Sequence, residues 1–379
     1  MDLSPEDNLR LNVLLTQELQ AVRIDESKMR VFALTPKGEA SVSLNPNCRD
    51  DQYLKRVREL FSTYVLGSPG GYPVYLKRWT RMGQDRENSS LHSLLQLGEP
   101  EAVVAVVHAP GLTAELARLA WWAMPEAENA RRMLASSQVV NSDIGRELAE
   151  FLIEYLPFET EPAAILNSVR LILQPGLVSE EIHQDLWQRA ARKGTIYVSF
   201  LQAMPDALPE ISEPHPGYEE LKAALAPLLK KDNRVARQLC RAMSPEGQAF
   251  LKTVIKAMDK LADEAAAVAL FDVVGRYFRA TLPKGHPGAI DAGRNSERAV
   301  AFAQMYLDET GVYHQELAEV QAVLAEHSPK LVAMVALSFA GESLVDSFFS
   351  HSDAVGPLMR RKMKPWTEPL LEQIRSLSE

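Results

Sequence analysis

Most of this chain should be helical, with a small α+β unit at its N-terminus. From Ser89 onward, short apolar-periodic runs are separated by Gly, Pro and Ser/Thr, with no alternating β-run between them. Before that point, three short stretches alternate apolar with polar residues, and Thr35-Pro36-Lys37-Gly38 separates two of them as a turn. The helical runs also come in pairs whose punctuation recurs: Pro110-Gly111-Leu112 returns as Pro175-Gly176-Leu177, and Pro125-Glu126 is echoed by Glu161-Pro162. A lone helical hairpin cannot bury both of its apolar faces, so a HEAT-like stack of hairpins is the physical sense of such a period. A non-repetitive helical bundle is the plainer alternative.

Strands are expected at 22–25, 29–33 and 40–44, followed by a helix capped by Asp50 or Asp51. Its stripe of Tyr53, Leu54, Val57, Leu60, Phe61 and Tyr64 faces the sheet. The Gly-rich run 67–71 ends that helix and leads into an extended cover containing Val74, Tyr75, Leu76 and Trp79. Helix pairs follow at 90–97 with 99–107, 113–123 with 126–135, 142–156 with 161–173, and 179–193 with 195–204. Thr113, Ser142 and Ser179 are the expected caps. After the Pro-rich stretch 208–216, helices resume at 218–229, 233–243, 245–260 and 263–280, the third opened by Ser244-Pro245-Glu246. Beyond a loop at 282–294, Asn295 or Ser296 opens a last set at 297–308, 313–326, 329–339 and 342–349, with 366–376 closing the chain. The organisation is thus an α+β domain over 1–86, HEAT-like repeats over 87–209, a helical segment over 210–283 and a C-terminal helical segment over 295–379.

Composition agrees with a folded protein. The 379 residues include 41 Lys plus Arg and 50 Asp plus Glu, a net charge of −9, with 46% apolar residues. That balance argues against a surface that coats nucleic acid throughout. Cys48 and Cys240 have no partner at zinc-ligand spacing and form no disulfide framework, which fits a reducing compartment. MDLSPEDNLRLN carries acids where an export signal needs Lys or Arg, so a cytoplasmic location is expected. The most apolar run, 331–340, is about half the ~20 residues needed to span a bilayer. It reads as a core helix, and no membrane insertion is expected.

Few constellations carry chemistry. The run 67–71 follows a helix instead of opening one and lacks both a Lys-Ser/Thr pair and a GxGxxG pattern, so it reads as a tight turn. Lys284, His286 and Arg294 in the second Gly-containing loop precede a helix, but a connection with incidental charges explains them. None of the eight histidines pairs with another at i, i+4 or with a cysteine, and no Gly-x-Ser-x-Gly elbow occurs. The sequence therefore assigns no catalytic residue, metal ligand or cofactor.

Two candidates remain. Cys48 precedes a helix and neighbours Arg49, both of which favour a thiolate, while Asp50 and Asp51 oppose it. An unreactive loop cysteine is the alternative; Cys240 lies on an amphipathic helix and reads as buried. The span 49–86 has eight bases (Arg49, Lys55, Arg56, Arg58, Lys77, Arg78, Arg81, Arg86) against four acids (Asp50, Asp51, Glu59, Asp85), with Tyr72, Tyr75 and Trp79 between them. Lys55, Arg56, Lys77, Arg78, Arg81 and Trp79 are candidate contacts to an anion or nucleic acid, because cations neutralise phosphate and aromatic rings stack on bases. A solvated rim with aromatic core residues is the alternative. Arg360-Arg361-Lys362 with Lys364 reads as a charged helix end or linker.

The stretches LNPNCRDDQYLKRVREL (44–60), VLGSPGGYPVYLKRWTRMGQ (65–84), LGEPEAVVAVVHAPGLTAELARLAWWAMPEAENARRML (97–134) and YLPFETEP (155–162) resemble the DsrS family. These are sulfur-metabolism accessory proteins encoded with the dissimilatory sulfite reductase genes of sulfur-oxidising bacteria. The likeness is strongest over residues 1–200 and weaker towards the C-terminus. It implies a cytoplasmic protein associated with oxidation of stored sulfur, and it supplies no catalytic motif to carry over. In that setting Cys48 gains interest, because sulfur travels on protein persulfides. The expected function is a non-catalytic accessory or regulatory protein that binds protein partners of sulfur metabolism through the concave face of its repeats. A nucleic-acid-linked regulator using the basic patch and a thiol-based sulfur-transfer or redox protein using Cys48 are the alternatives.

Overall fold

The chain enters its first helix at once, in a computed structural model that describes residues 3–73, 88–283, 286, 288–307, 314–324 and 327–378. The hydroxyl of Ser4 accepts the Asp7 N–H at 3.3 Å, and Pro5 holds the first position of helix α1 (Pro5–Leu15). Strands β1 (Ala21–Asp25), β2 (Arg30–Thr35) and β3 (Gly38–Ser43) form an antiparallel meander in that order. Gly38 closes the second turn at φ +119°, a conformation that side chains disfavour. Val31 and Ala33 of β2 share one core with Leu11, Leu14 and Leu15 of α1 and with Tyr53, Val57 and Phe61 of α2 (Asp50–Leu66). The expected stripe on α2 holds except for Tyr64, which is exposed. Neither Asp50 nor Asp51 caps that helix. Its N-cap is Arg49, and both carboxylates lie in the first turn, beside the positive end of the helix dipole.

A buried polar knot ties α1 to α2. Asp7 Oδ2 accepts the Tyr53 hydroxyl at 2.5 Å and the Asn45 N–H at 2.6 Å, and the Tyr53 oxygen accepts the Ser4 N–H at 3.2 Å. Burial, followed by the bond to Asp7, pushes the Tyr53 hydroxyl above its ordinary range.

The backbone divides into two compact units, 1–155 and 156–379. Helices α3 (Asn88–Leu95) and α5 (Ala114–Ala123) pack on β1, so the first unit continues past Arg86, and its end falls inside the 87–209 stretch. Its remaining helices are α4 (Pro100–Val107), α6 (Ala127–Met133), the single turn α7 (Ser137–Val140) and α8 (Asp143–Tyr155). Consecutive helices pack as hairpins: α3 on α4, α4 on α5, α5 on α6 and α7 on α8. Thr113 caps α5 by accepting the Leu116 N–H at 3.2 Å. Ser142 does not cap α8, because its hydroxyl donates back to the Val139 carbonyl at 2.6 Å.

Among the described residues of unit 156–379 the regular elements are all helices. It opens with α9 (Pro162–Ile172), α10 (Glu180–Ala190), α11 (Gly194–Ala203) and α12 (Tyr218–Lys230). Then come α13 (Arg234–Met243), α14 (Pro245–Met258), α15 (Glu264–Tyr277) and the single turn α16 (Ala289–Ala292). The last set is α17 (Ser296–Leu307), α18 (Gln315–Val323), α19 (Ser328–Leu337), α20 (Glu342–Phe349) and α21 (Gly356–Ser378). Hairpin contacts recur in α10 with α11 and through α12, α13, α14 and α15 in succession. Ser244 caps α14 through the Gly247 N–H, whereas Ser179 precedes α10 without a side-chain cap bond. At the core, α19 packs against α17 and α21, with Leu331, Met334, Val335 and Leu337 fully buried. Among the described residues no single helix is long and apolar enough to cross a membrane. Helices α19 and α20 pass that test together, but they meet at a 59° bend.

Helix α21 starts well before the expected 366, and contains Pro365 and Pro369. Pro365 is exposed while Met359, Met363, Thr367, Leu370 and Ile374 are buried, so water can satisfy the carbonyl that loses its partner there. The cluster at 360–364 is therefore helix body, not a linker. Arg360 Nη1 donates to the Leu261 carbonyl at 2.8 Å, and Lys364 pairs with Glu368 at 3.3 Å.

Candidate functional site

Cys48 sits in the segment between β3 and α2, half-buried against the N-terminal core. Its thiol contacts the Arg49 carbonyl oxygen at 3.7 Å, and the Arg49 guanidinium turns away to pair with Asp51 at 3.0 Å. The cation expected beside the sulfur is thus engaged elsewhere. Cys240 is also half-buried, and burial pushes its thiol above the ordinary range.

The basic patch is only partly described. Lys77, Arg78, Trp79 and Arg81 lie outside the described residues, as do Tyr75, Asp85 and Arg86. Of the rest, Arg56 pairs with Glu59 at 3.0 Å and Arg58 pairs with Glu26. Among the described residues of this span, Lys55 alone among the bases has no carboxylate partner. Lys55 and Arg58 border a cavity of about 670 Å³ whose other charged walls are Glu26, Glu59, Glu99 and Glu101. Among its described lining residues acids outnumber bases, an arrangement that suits a polyanion poorly.

The Gly-rich turn closes one side of this cavity. Gly67 ends α2 in the left-handed conformation, and the Ser62 hydroxyl donates to the Ser68 carbonyl at 2.5 Å while accepting the Gly71 N–H at 2.8 Å. Glu99, just before α4, accepts the Tyr72 N–H at 2.9 Å. Gly71 holds φ +61°, a conformation that favours glycine, and a Cβ there would also push the Glu99 carboxylate aside. A carboxylate of the chain itself therefore occupies the amide position where a phosphate loop would seat its ligand.

Beside that turn, Tyr72, Pro100, Glu101, Val104, Ala105 and His108 line a groove of about 490 Å³ along the outer side of α4. Ala102, Val103, Val106 and Val107 face the core, and Val104 is 38% exposed. Residue types alone hinted at this groove: in Val103-Val104-Ala105-Val106-Val107 no position is polar, although a surface helix ordinarily keeps one wet face. Glu99 had no signal in the sequence, since its role depends on a turn far from it along the chain.

Among the described residues of the second Gly-containing loop, no two of the candidate cations are brought together on an anion site. The His286 ring packs edge-on against Phe302 at 4.9 Å, and its Nδ1 accepts the Gly288 N–H at 3.0 Å, while Arg294 is exposed and Lys284 lies outside the described residues. Among the described residues, no three His, Cys, Asp or Glu side chains converge as a metal site. In unit 156–379, a cavity of about 550 Å³ lies where α9, α11 and α15 pack together; nothing in the sequence pointed to it. No protein-family model, curated protein or solved structure matches this chain.

Proposed function

We propose that this protein is a non-catalytic accessory or regulatory protein of bacterial sulfur oxidation that acts in the cytoplasm by binding a protein partner. The resemblance to the DsrS family supplies the setting. The observation that supports the mode of action is the apolar groove on α4, where Val104 and Ala105 replace the polar residues a solvated helix face would carry. Tyr72 and Pro100 make its wall concave, and the exposed Glu101 edges it. The complementary partner presents apolar side chains next to a basic one.

The test is affinity purification of the tagged full chain from cells oxidising sulfur, beside a Val104→Glu variant. Val104 lies at the surface, so the charge alters the groove without entering the core. A sulfur-oxidation protein recovered with the parent chain and lost with Val104→Glu is the expected result. An identical set of recovered proteins with both chains would overturn the reading.

A further inference from the structure

We propose that the cavity between α9, α11 and α15 binds a small zwitterion of the amino-acid type, its carboxylate held by Arg276 and Arg170 and its ammonium by Asp272 and Gln202. The site lies wholly within unit 156–379 and is a separate function from the α4 groove. Its volume of about 550 Å³ is in the usual range for small-molecule sites. Gln202 and Arg276 also line an adjoining recess of about 170 Å³, walled by Leu201, Phe250, Val273 and Tyr277. The larger space thus has charged walls, and the smaller one is mixed, with Leu201, Phe250 and Val273 offering apolar contact to a short aliphatic side chain beside Gln202, Arg241 and Arg276.

The charges there are not spent on each other. Arg241, which also lines the recess, is held by both oxygens of Asp206 at 2.6 and 2.7 Å. By contrast, Arg276 bonds only to the Asp272 carbonyl of its own helix at 3.4 Å, and Arg170 to Asn167 Oδ1 at 2.7 Å. Among the described residues neither guanidinium pairs with a carboxylate. Asp272 Oδ1 accepts the Glu342 N–H at 3.0 Å, which leaves Oδ2 for a ligand. Two guanidiniums and one carboxylate lining the same cavity, Asp272 and Arg276 one turn apart on α15 and Arg170 on α9, match a ligand that carries both signs, since a planar fork suits a carboxylate and an acceptor pair suits an ammonium.

Two further polar atoms are unsatisfied. Gln202 Oε1 and the Tyr277 hydroxyl are buried with no hydrogen-bond partner, and Tyr277 is only 5% exposed. A buried polar atom without a partner is costly, and native structures keep few of them. Arg170 and Arg276 each occupy the last turn of a helix, where a cation complements the helix dipole, but that role leaves Gln202 and Tyr277 unexplained. Both oxygens are shielded in this conformation. Gln202 as a residue is half-exposed, so turning its side chain is the motion that brings its amide to a ligand.

The test uses the full chain, titrated in a calorimeter with each of the twenty standard amino acids, with the matching desamino acids, and with inorganic phosphate. The expected result is saturable binding of at least one aliphatic amino acid in the millimolar range or tighter, weakened about tenfold or more by Arg276→Gln. Asp272→Asn keeps an oxygen for the Glu342 N–H, and should weaken the amino acid without weakening its desamino analogue. Should Arg276→Gln fail to fold, Gln202→Leu carries the same test. Three results would each overturn the proposal: no saturable binding by any amino acid, phosphate or the desamino acid binding as tightly as the amino acid, or binding unchanged in whichever of Arg276→Gln and Gln202→Leu folds.

Discussion

The two units fasten their elements with different chemistry. In 1–155 the central tie is a buried carboxylate, Asp7, which collects a phenol from α2 and a backbone amide from the loop after β3. In 156–379 several ties between elements use neutral donors, beside charged ones such as Arg360 to the Leu261 carbonyl: Gln248 Nε2 reaches the Ala242 and Leu377 carbonyls at 2.9 and 3.1 Å, Asn233 Nδ2 reaches the Glu316 carbonyl at 3.0 Å, and the Ser296 hydroxyl reaches the Trp366 carbonyl at 2.6 Å. The difference follows from what each unit leaves unpaired. The Ala242 and Leu377 carbonyls lie in the last turns of α13 and α21, where a carbonyl has no intrahelical partner, and the Gln248 amide is their complement. A sheet joined to helices through a loop leaves N–H and O–H groups, and an ionised carboxylate accepts several of these at once.

Removing that carboxylate should have the largest effect. Asp7→Ala takes the carboxylate acceptor from the Asn45 N–H and from the buried Tyr53 hydroxyl, which keeps only its contacts to Ser4, at a cost of about 3 kcal/mol. Denaturant unfolding should show the loss, with hydrogen exchange accelerated in α1 and α2. In the other unit, Gly275→Ala places a Cβ 1.8 Å from the Ala340 carbonyl oxygen, so α15 must shift, costing about 2 kcal/mol in unfolding free energy. Gln248→Leu leaves two carbonyls short of a donor and should cost about 1.5 kcal/mol by the same measurement. A larger loss from Gln248→Leu than from Asp7→Ala would break the contrast between the units.

The smallest effect concerns an exposed carboxylate. Asp25 accepts the Ser27 hydroxyl at 2.7 Å, pairs with the Lys28 ammonium at 3.1 Å and accepts the Lys28 N–H at 3.0 Å, and these bonds, led by Ser27 and then the Lys28 ammonium, hold its pKa at about 2 instead of 3.8. Because the folded value lies below the unfolded one, the contribution is complete above about pH 4 and is lost as the pH falls towards 2. An NMR titration should give that value, and Ser27→Ala should move it up towards the ordinary carboxylate range. An unchanged pKa in the variant would assign the shift to some other group.

Several local signals in the sequence specified local structure, although the caps expected at Asp50 or Asp51, Ser142 and Ser179 do not form. The alternation of Val31 and Ala33, the Thr35-Pro36-Lys37-Gly38 turn, the Thr113 cap and the Ser244-Pro245-Glu246 start all act within a few residues, and each appears in the fold. Ser4-Pro5-Glu6 carries the same start signal and opens α1, but its acidic, weakly periodic continuation concealed the helix. On sequence alone the last helix is expected only from 366, and the burial pattern shows that Pro365, just before that start, faces solvent inside α21. The candidate sites were harder to read for a different reason. Glu99 meets Gly71 and Tyr72, and Arg170 shares a cavity with Arg276, by tertiary packing that leaves no periodic trace in the chain.

Partner binding at α4 is the claim on which the proposed function stands, and hydrogen exchange of the full chain with and without the recovered partner tests it most directly. The account predicts slowed exchange at 71–73 and 100–108, absent in Val104→Glu. Protection confined to other segments, with 100–108 unchanged, would contradict it.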